Sequence, residues 1–403
     1  MDQAAKPTPT TSERPPRIVL FSGGTACRNI NIALSRTSVE LTRIVPAWDS
    51  GGSSKELRVA FDMLPVGDIR QALMTMAHGE GRAGEVVKIC NARLSDALGN
   101  EEARAEFDYY ARGEHPLLLR MEPALREAIR AYLGLFQRRI PRDFDFRNGS
   151  IGNFILTGAY LAHGEDINAA ILKFRDLCAV NGHVWPASTR PDVHLSALLK
   201  DGRRLDRQHL VTKMAKSDAE IGVASIALTS GASKIEANAK TLEAVANADA
   251  IVFGPGSFYT SILPHLHVEG VAEAIRQNSA APKIFVGNIL ECEETSGMTL
   301  GDQVEVLEAT AARETSVPSP WLTHVVSDSE FFPFQKTVGK FRYLRHGDVE
   351  RCCGNLGIRH VSDDLEDAWI RGQHDGRAVA SILTELAMQA IRTAPEVEPL
   401  SPI

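Results

Sequence analysis

Short apolar runs punctuate the chain at 17–22, 41–46, 250–253, 283–286 and 322–326, with stretches of helical composition between them. Ile251-Val252-Phe253 and Ile284-Phe285-Val286 have no polar interruption. That is the pattern of strands buried on both faces of a parallel sheet. The alternation predicts an α/β fold: a Rossmann-like, doubly wound, mostly parallel sheet with helices on both faces. Ligands of such sheets bind beyond the carboxyl ends of the strands. Helices are predicted over Ile69 to Ala77, Ile151 to Ala162, Ile167 to Val180 and Leu300 to Arg313.

The stretch from about 92 to 147 is different, rich in Glu, Arg, Ala and Leu and without a strand-like run. Glu101 to Arg112 and Leu119 to Arg138 read as helices, so this stretch is a helical insertion, either a surface pair or a cap over a site. The expected organisation is a tail at 1–16, one α/β domain over 17–394 carrying that insertion, and a frayed tail at 395–403. Pro7, Pro9, Pro15 and Pro16 fall in the first tail, which lacks an apolar signal segment.

The 403 residues carry a formal net charge of -7, which argues against a general nucleic-acid binder. No apolar stretch approaches membrane-span length. The six cysteines form no CxxC pair and show no zinc spacing, which suits reduced thiols and a cytoplasmic location.

Several predicted strands end in loops suited to an anion. Ser22-Gly23-Gly24-Thr25 follows the first strand, where glycine lets the backbone approach a ligand and bare N–H groups suit phosphate. This loop lacks both GxGxxG spacing and the lysine of a P-loop. The second strand leads into Asp49-Ser50-Gly51-Gly52-Ser53-Ser54, followed by Arg58. The carboxylate suits a metal or a sugar hydroxyl, and the hydroxyls and glycine N–H groups suit phosphate oxygens; a helix N-cap at Ser53 or Ser54 is the plainer alternative. Asp68, before a predicted helix, either caps it or joins Asp49 in holding Mg²⁺, which favours carboxylates plus ligand phosphates. Gly254-Pro255-Gly256-Ser257-Phe258-Tyr259-Thr260-Ser261 reads as a strand, a turn and a helix beginning near Ser257, again offering N–H groups to an anion. Asn288 presents a donor and an acceptor to a base or ribose. Arg58 and Arg70 are candidates for steadying phosphate oxygens, or they pair with surface acids. A nicotinamide dinucleotide fits less well, because no acidic residue closes the 41–46 strand.

Together these segments resemble the CofD/YvcK superfamily, over about 17–90 and 148–385. The Asp49 loop is similar to its DDGGSSGxLR, Pro65 to Arg70 to its PPGDIR, Ser150 to Leu156 to its SIGNLLL, and Gly254 to Ile262 to its GPGSLYTSI. Gly182 to Ser188 resembles a strand and loop of that family. The resemblance implies two roles. One branch transfers a 2-phospholactyl or phosphoenolpyruvyl unit from a guanosine diphosphate carrier to a hydroxyl, with Mg²⁺. The other binds UDP-sugars and is tied to carbon metabolism and cell-wall growth. It implies catalytic and metal roles for Asp49 and Asp68. It also implies nucleotide or phosphate contacts at Gly23, Gly24, Thr25, Gly51, Gly52, Ser53, Ser54, Arg58, Arg70, Asn153, Gly254, Gly256, Ser257, Tyr259, Thr260 and Asn288. The ligand would be GDP-like or a UDP-sugar, and a homodimer is plausible. The chain departs from the family at Ser50, where the second Asp would stand, at Ala26-Cys27-Arg28, at Lys55 and at Gln373-His374-Asp375.

Overall fold

The computed structural model describes residues 14–24, 27–77, 83–97, 99–231, 234–318, 320–329 and 336–393. The first tail therefore falls largely outside the described residues. Its end does not: Arg14 donates twice to the Asp249 carboxylate at 2.6 Å, tying residue 14 to the body.

Strands β1 (Arg17–Phe21), β2 (Glu40–Val45) and β3 (His183–Pro186) lie side by side. Strands β4 (His194–Leu199), β5 (Arg204–Leu205) and β6 (Val223–Thr229) make a separate antiparallel sheet. The chain returns to the central sheet with β7 (Ala250–Phe253), β8 (Lys283–Val286) and β9 (His324–Asp328). A hairpin of β10 (Thr337–Val338) and β11 (Phe341–Arg342) follows, and β12 (Arg359–Asp363) completes the central sheet.

The central order is β3-β2-β1-β7-β8-β9-β12, and every pairing is parallel. The chain winds outward from β1 in one direction, restarts at β7 beside β1, and winds outward in the other. The reversal falls at the carboxyl ends of β1 and β7, the position whose crevice binds ligands in doubly wound sheets. The predicted apolar runs all lie on central strands. The last is displaced by two residues, to His324–Asp328.

The predicted helices appear at Gly67–Met76, Ile151–Ala162, Ile167–Leu177 and Leu300–Thr315. Ser150 and Asp166 cap the second and third of these with side-chain oxygens, which satisfies N–H groups left bare at a helix start. In the insertion, Asn100–Ala111, Pro116–Leu119 and Pro123–Arg139 are helical. Its core is aromatic. Phe136 stacks on Phe154 with centroids 4.6 Å apart, and Phe107, Phe144 and Phe146 close around them. Phe136 also meets Phe61 at the end of the Gly52–Phe61 helix. The insertion thus braces two helices that lead to the crevice. No helix among the described residues is long and apolar enough to cross a membrane.

Candidate functional site at the strand-order reversal

The two loops at the reversal touch. Gly254 N–H donates to the Phe21 carbonyl, and the buried Cys27 thiol donates to the Pro255 carbonyl at 3.2 Å. Side chains at the glycines would jam this joint. A Cβ on Gly254 would lie 2.6 Å from Cys27 Sγ, and one on Gly23 would lie 2.7 Å from Ser261 Oγ. Thr25 lies outside the described residues.

Asp68 comes to the first loop, and Asp49 stands beside the start of the helix that carries Asp68. Asp49 follows β2, and its Oδ1 accepts the Gly51 N–H at 3.0 Å. Asp68 stands in the first turn of the Gly67–Met76 helix and accepts the Gly24 N–H. A Cβ on Gly24 would lie 2.6 Å from Asp68 Oδ1, and one on Gly67 would lie 3.3 Å from Asp49 Oδ2 and 2.7 Å from Ser54 Oγ. Burial pushes the Asp68 carboxyl up to about 7, and the negative charge of Asp49 adds to the shift. The Arg43 guanidinium, the Gly24 N–H and Arg70 pull it back. Among the described residues no group of three or more His, Cys, Asp and Glu side chains could hold a metal. Two carboxylates fit Mg²⁺, which takes its remaining oxygens from water and ligand phosphates.

The arginines are engaged within the protein. Arg58 donates to the carbonyls of Asp49 (3.0 Å), Pro191 (2.8 Å) and Val193 (2.8 Å). It ties the Asp49 loop to the segment before β4. Arg70 is buried; its Nε donates to Asn153 Oδ1 at 3.0 Å and its Nη1 to Asn91 Oδ1 at 2.9 Å. Asn153 Nδ2 in turn donates to Ser53 Oγ at 2.9 Å. In this structure Arg58 and Arg70 bond to carbonyl and amide oxygens, and among the described residues neither pairs with a surface acid. Ser50 meets the ring of His209, with Oγ to Nδ1 at 2.9 Å, and accepts the His209 N–H at 3.1 Å. Gly52 opens the Gly52–Phe61 helix with φ +51, and Ser53 and Ser54 are buried behind it, so neither caps the helix; its N-cap is Gly51.

The third loop differs from expectation. The helix expected near Ser257 is present with Ser257 as its N-cap, but as a π-helical turn, Phe258–Ile262, that runs into a 3₁₀ turn, Leu263–His267. The N–H groups of Tyr259 and Thr260 are not open to a ligand, because both donate to Glu294 Oε2 at 3.0 and 3.1 Å. Thr260 Oγ1 adds a bond to Glu294 Oε1 at 2.6 Å. Glu294 is the turn's internal acceptor, and burial lifts its carboxyl to about 7. Trp48 Nε1 closes the far end by donating to the Thr260 carbonyl at 2.7 Å. Asn288 does not face outward as a free amide. It accepts the Gly256 N–H and donates to the Gly256 carbonyl, each at 2.8 Å.

Sequence reading missed Glu294, His374 and Arg43 as parts of the site. His374 is buried, donates from Nε2 to the Gly287 carbonyl at 3.0 Å, and is held neutral by burial, its pKa lowered to about 4. Arg43 left a usable signal: a charged residue inside the apolar run Leu41 to Val45 must find partners in the interior. Its Nη2 donates to Ser22 Oγ at 2.5 Å and to the Gly23 carbonyl at 2.6 Å.

Comparison with known proteins agrees with this architecture. A "Putative gluconeogenesis factor" of Nostoc is 32% identical over 321 residues, covering 78% of this chain and 56% of that protein. The aligned part thus spans little more than half the length of that relative. A "Gluconeogenesis factor" of Listeria monocytogenes is 28% identical over 375 residues, covering 92% of this chain and 95% of the relative. The crystal structure of a UPF0052-family protein from Bacillus halodurans has the same fold, with TM-score 0.67 and 24% identity over 92% of this chain and 99% of its own. The family model described as "2-phospho-L-lactate transferase CofD" matches residues 18–364, and the chain belongs to the CofD family.

Proposed function

We propose that the protein holds the diphosphate of a nucleotide-linked ligand at the β1/β7 crevice, and that it acts as a CofD-like transferase moving a phospholactyl- or phosphoenolpyruvyl-type group to a hydroxyl acceptor. One observation carries this reading: Asp68 stands on the first glycine loop, at the reversal of strand order, with the charge of Asp49 close enough to act on it. Carboxylates repel a bare phosphate, so their presence at a phosphate loop favours an intervening cation. Mg²⁺ held by Asp49 and Asp68 would neutralise charge on the leaving nucleotide phosphate. The chain's own groups do the rest. The Gly24 N–H, held by Asp68 in this structure, would pass to the diphosphate as Asp68 turns to the cation, Asn288 fixes the Gly254–Gly256 turn, and an ionised carboxylate takes the acceptor's proton.

A second reading is a non-catalytic UDP-sugar-binding regulator. Ser50, bound to His209 where the family's second Asp would stand, supports it, and so do the names of the relatives. Thermal melts with GDP and UDP-N-acetylglucosamine, each with and without Mg²⁺, separate the two, because a ligand that binds the folded state raises the melting temperature. A Mg²⁺-dependent GDP response supports transfer, and a Mg²⁺-independent UDP-sugar response supports the regulator. No response to either overturns the shared premise.

A further inference from the structure

Arg43 lies opposite Leu20 in the β1/β2 register, and its side chain passes beneath the end of β1 to the Ser22–Gly23 turn. It is fully buried. Both bonds described above leave from one nitrogen, Nη2. Nε and Nη1 are buried and have no hydrogen-bond partner among the described residues. A guanidinium placed in the interior with neutral oxygens as its bonded partners is costly to keep. A brace for the turn would need only one donor nitrogen, which an uncharged amide supplies.

The charges around the loop suggest what the rest of the guanidinium serves. Burial lowers the pKa of Arg43, and Cys27 and then Asp68 oppose it; burial keeps the Cys27 thiol neutral by pushing it up, which leaves Asp68 as the carboxylate that supports the charge. With both aspartates ionised, Arg43, Asp49 and Asp68 together carry one negative charge. A divalent cation between the aspartates turns this into one positive charge. Without Arg43 the same trio would be neutral with the cation and doubly negative without it. In a buried setting a unit charge acts far more strongly than in water.

We propose that Arg43 is the fixed positive charge that draws a cation-bound diphosphate to the first glycine loop, acting as a positioning residue from beneath the loop. The inference rests on the reading of this crevice as a diphosphate site. It adds that the attracting charge comes from β2, while Arg58 and Arg70 hold the backbone and amides around it.

The probe is magnesium pyrophosphate, titrated calorimetrically into the full chain. Arg43→Gln keeps a donor for Ser22 and Gly23 and removes the charge. It is expected to weaken magnesium pyrophosphate binding by about 30-fold or more. Arg43→Lys restores the charge and is expected to bind within about tenfold of the unsubstituted protein. A role confined to bracing the turn predicts the opposite order, with Gln tolerated as well as Lys. Folded Arg43→Gln with unchanged affinity overturns the inference. If neither pyrophosphate nor any nucleoside diphosphate binds the unsubstituted protein, the diphosphate reading itself fails, which is a separate result. Should both variants fail to fold, crystals of the unsubstituted protein soaked with magnesium pyrophosphate decide. A phosphorus within roughly 6 Å of the Arg43 guanidinium supports the inference, and a phosphate bound only beyond that range overturns it.

Discussion

Asn288 and Gly256 exchange two hydrogen bonds, amide to backbone in both directions, each 2.8 Å long. The pair joins the loop after β8 to the turn after β7, so one side chain sets the backbone of the glycine turn at the crevice. Asn288→Ala removes both bonds at once. We expect a loss of about 1–3 kcal/mol of stability and a larger proportional loss of nucleotide affinity, read by denaturant melts and calorimetry on the same preparation. Asn288→Asp keeps the acceptor for Gly256 N–H but sets a carboxylate oxygen against the Gly256 carbonyl, so it should be no better than alanine.

Glu294 makes stability depend on pH. Burial raises its carboxyl from 4.5 to about 7 in the folded protein. The folded state therefore holds a proton that the unfolded chain releases, and the stability this contributes is complete below the unfolded value and is lost as the pH rises through the folded one. Urea midpoints should fall between roughly pH 4.5 and 7 from this group. Glu294→Gln, which resembles the protonated form, should flatten that part of the profile. An identical slope in the variant would remove Glu294 as its source.

Arg58 is placed to hold three backbone carbonyls. Arg58→Lys cannot reach all three, and it should lower the melting temperature while changing nucleotide affinity of the folded protein by less than about threefold, a difference under 1 kcal/mol. Lost affinity with an unchanged melting temperature would instead put Arg58 on the ligand.

Gly24 and Asp68 leave no room between them. A Cβ on Gly24 would lie 2.6 Å from Asp68 Oδ1, so Gly24→Ala must push the carboxylate aside. The expected result is a folded protein, destabilised by about 1–3 kcal/mol, whose melting temperature no longer responds to Mg²⁺ with nucleotide. A response equal to that of the unsubstituted protein would show that Asp68 can leave its place without consequence.

The buried strands were legible because they are nearly pure apolar runs, as in Ile251-Val252-Phe253 and Ile284-Phe285-Val286. β12 was not, because Arg359-His360-Val361-Ser362-Asp363 sits at the sheet edge with solvent on much of it, and its pattern carries little hydrophobic signal. β4 and β6 were missed for a related reason: β6 alternates buried and exposed positions irregularly. The glycine loops were legible as loops. What filled them was not. That Glu294 would take the Tyr259 and Thr260 N–H groups depends on a contact across 35 and 34 residues of sequence, which no local pattern encodes. The helix expected at Ser257 does begin there, but as a π turn running into a 3₁₀ turn, a distinction that no local pattern encodes.

The crevice meets a visitor with its seats already taken: Asp68 rests on the Gly24 N–H, and Glu294 on those of Tyr259 and Thr260. Stray inorganic phosphate, arriving alone, would have to evict a carboxylate and then sit beside it. A phosphate group escorted by a cation reverses that repulsion. On the diphosphate reading proposed above, the protein's own acids would act as a filter against free phosphate, and admission would be an exchange of partners instead of the filling of an empty hole.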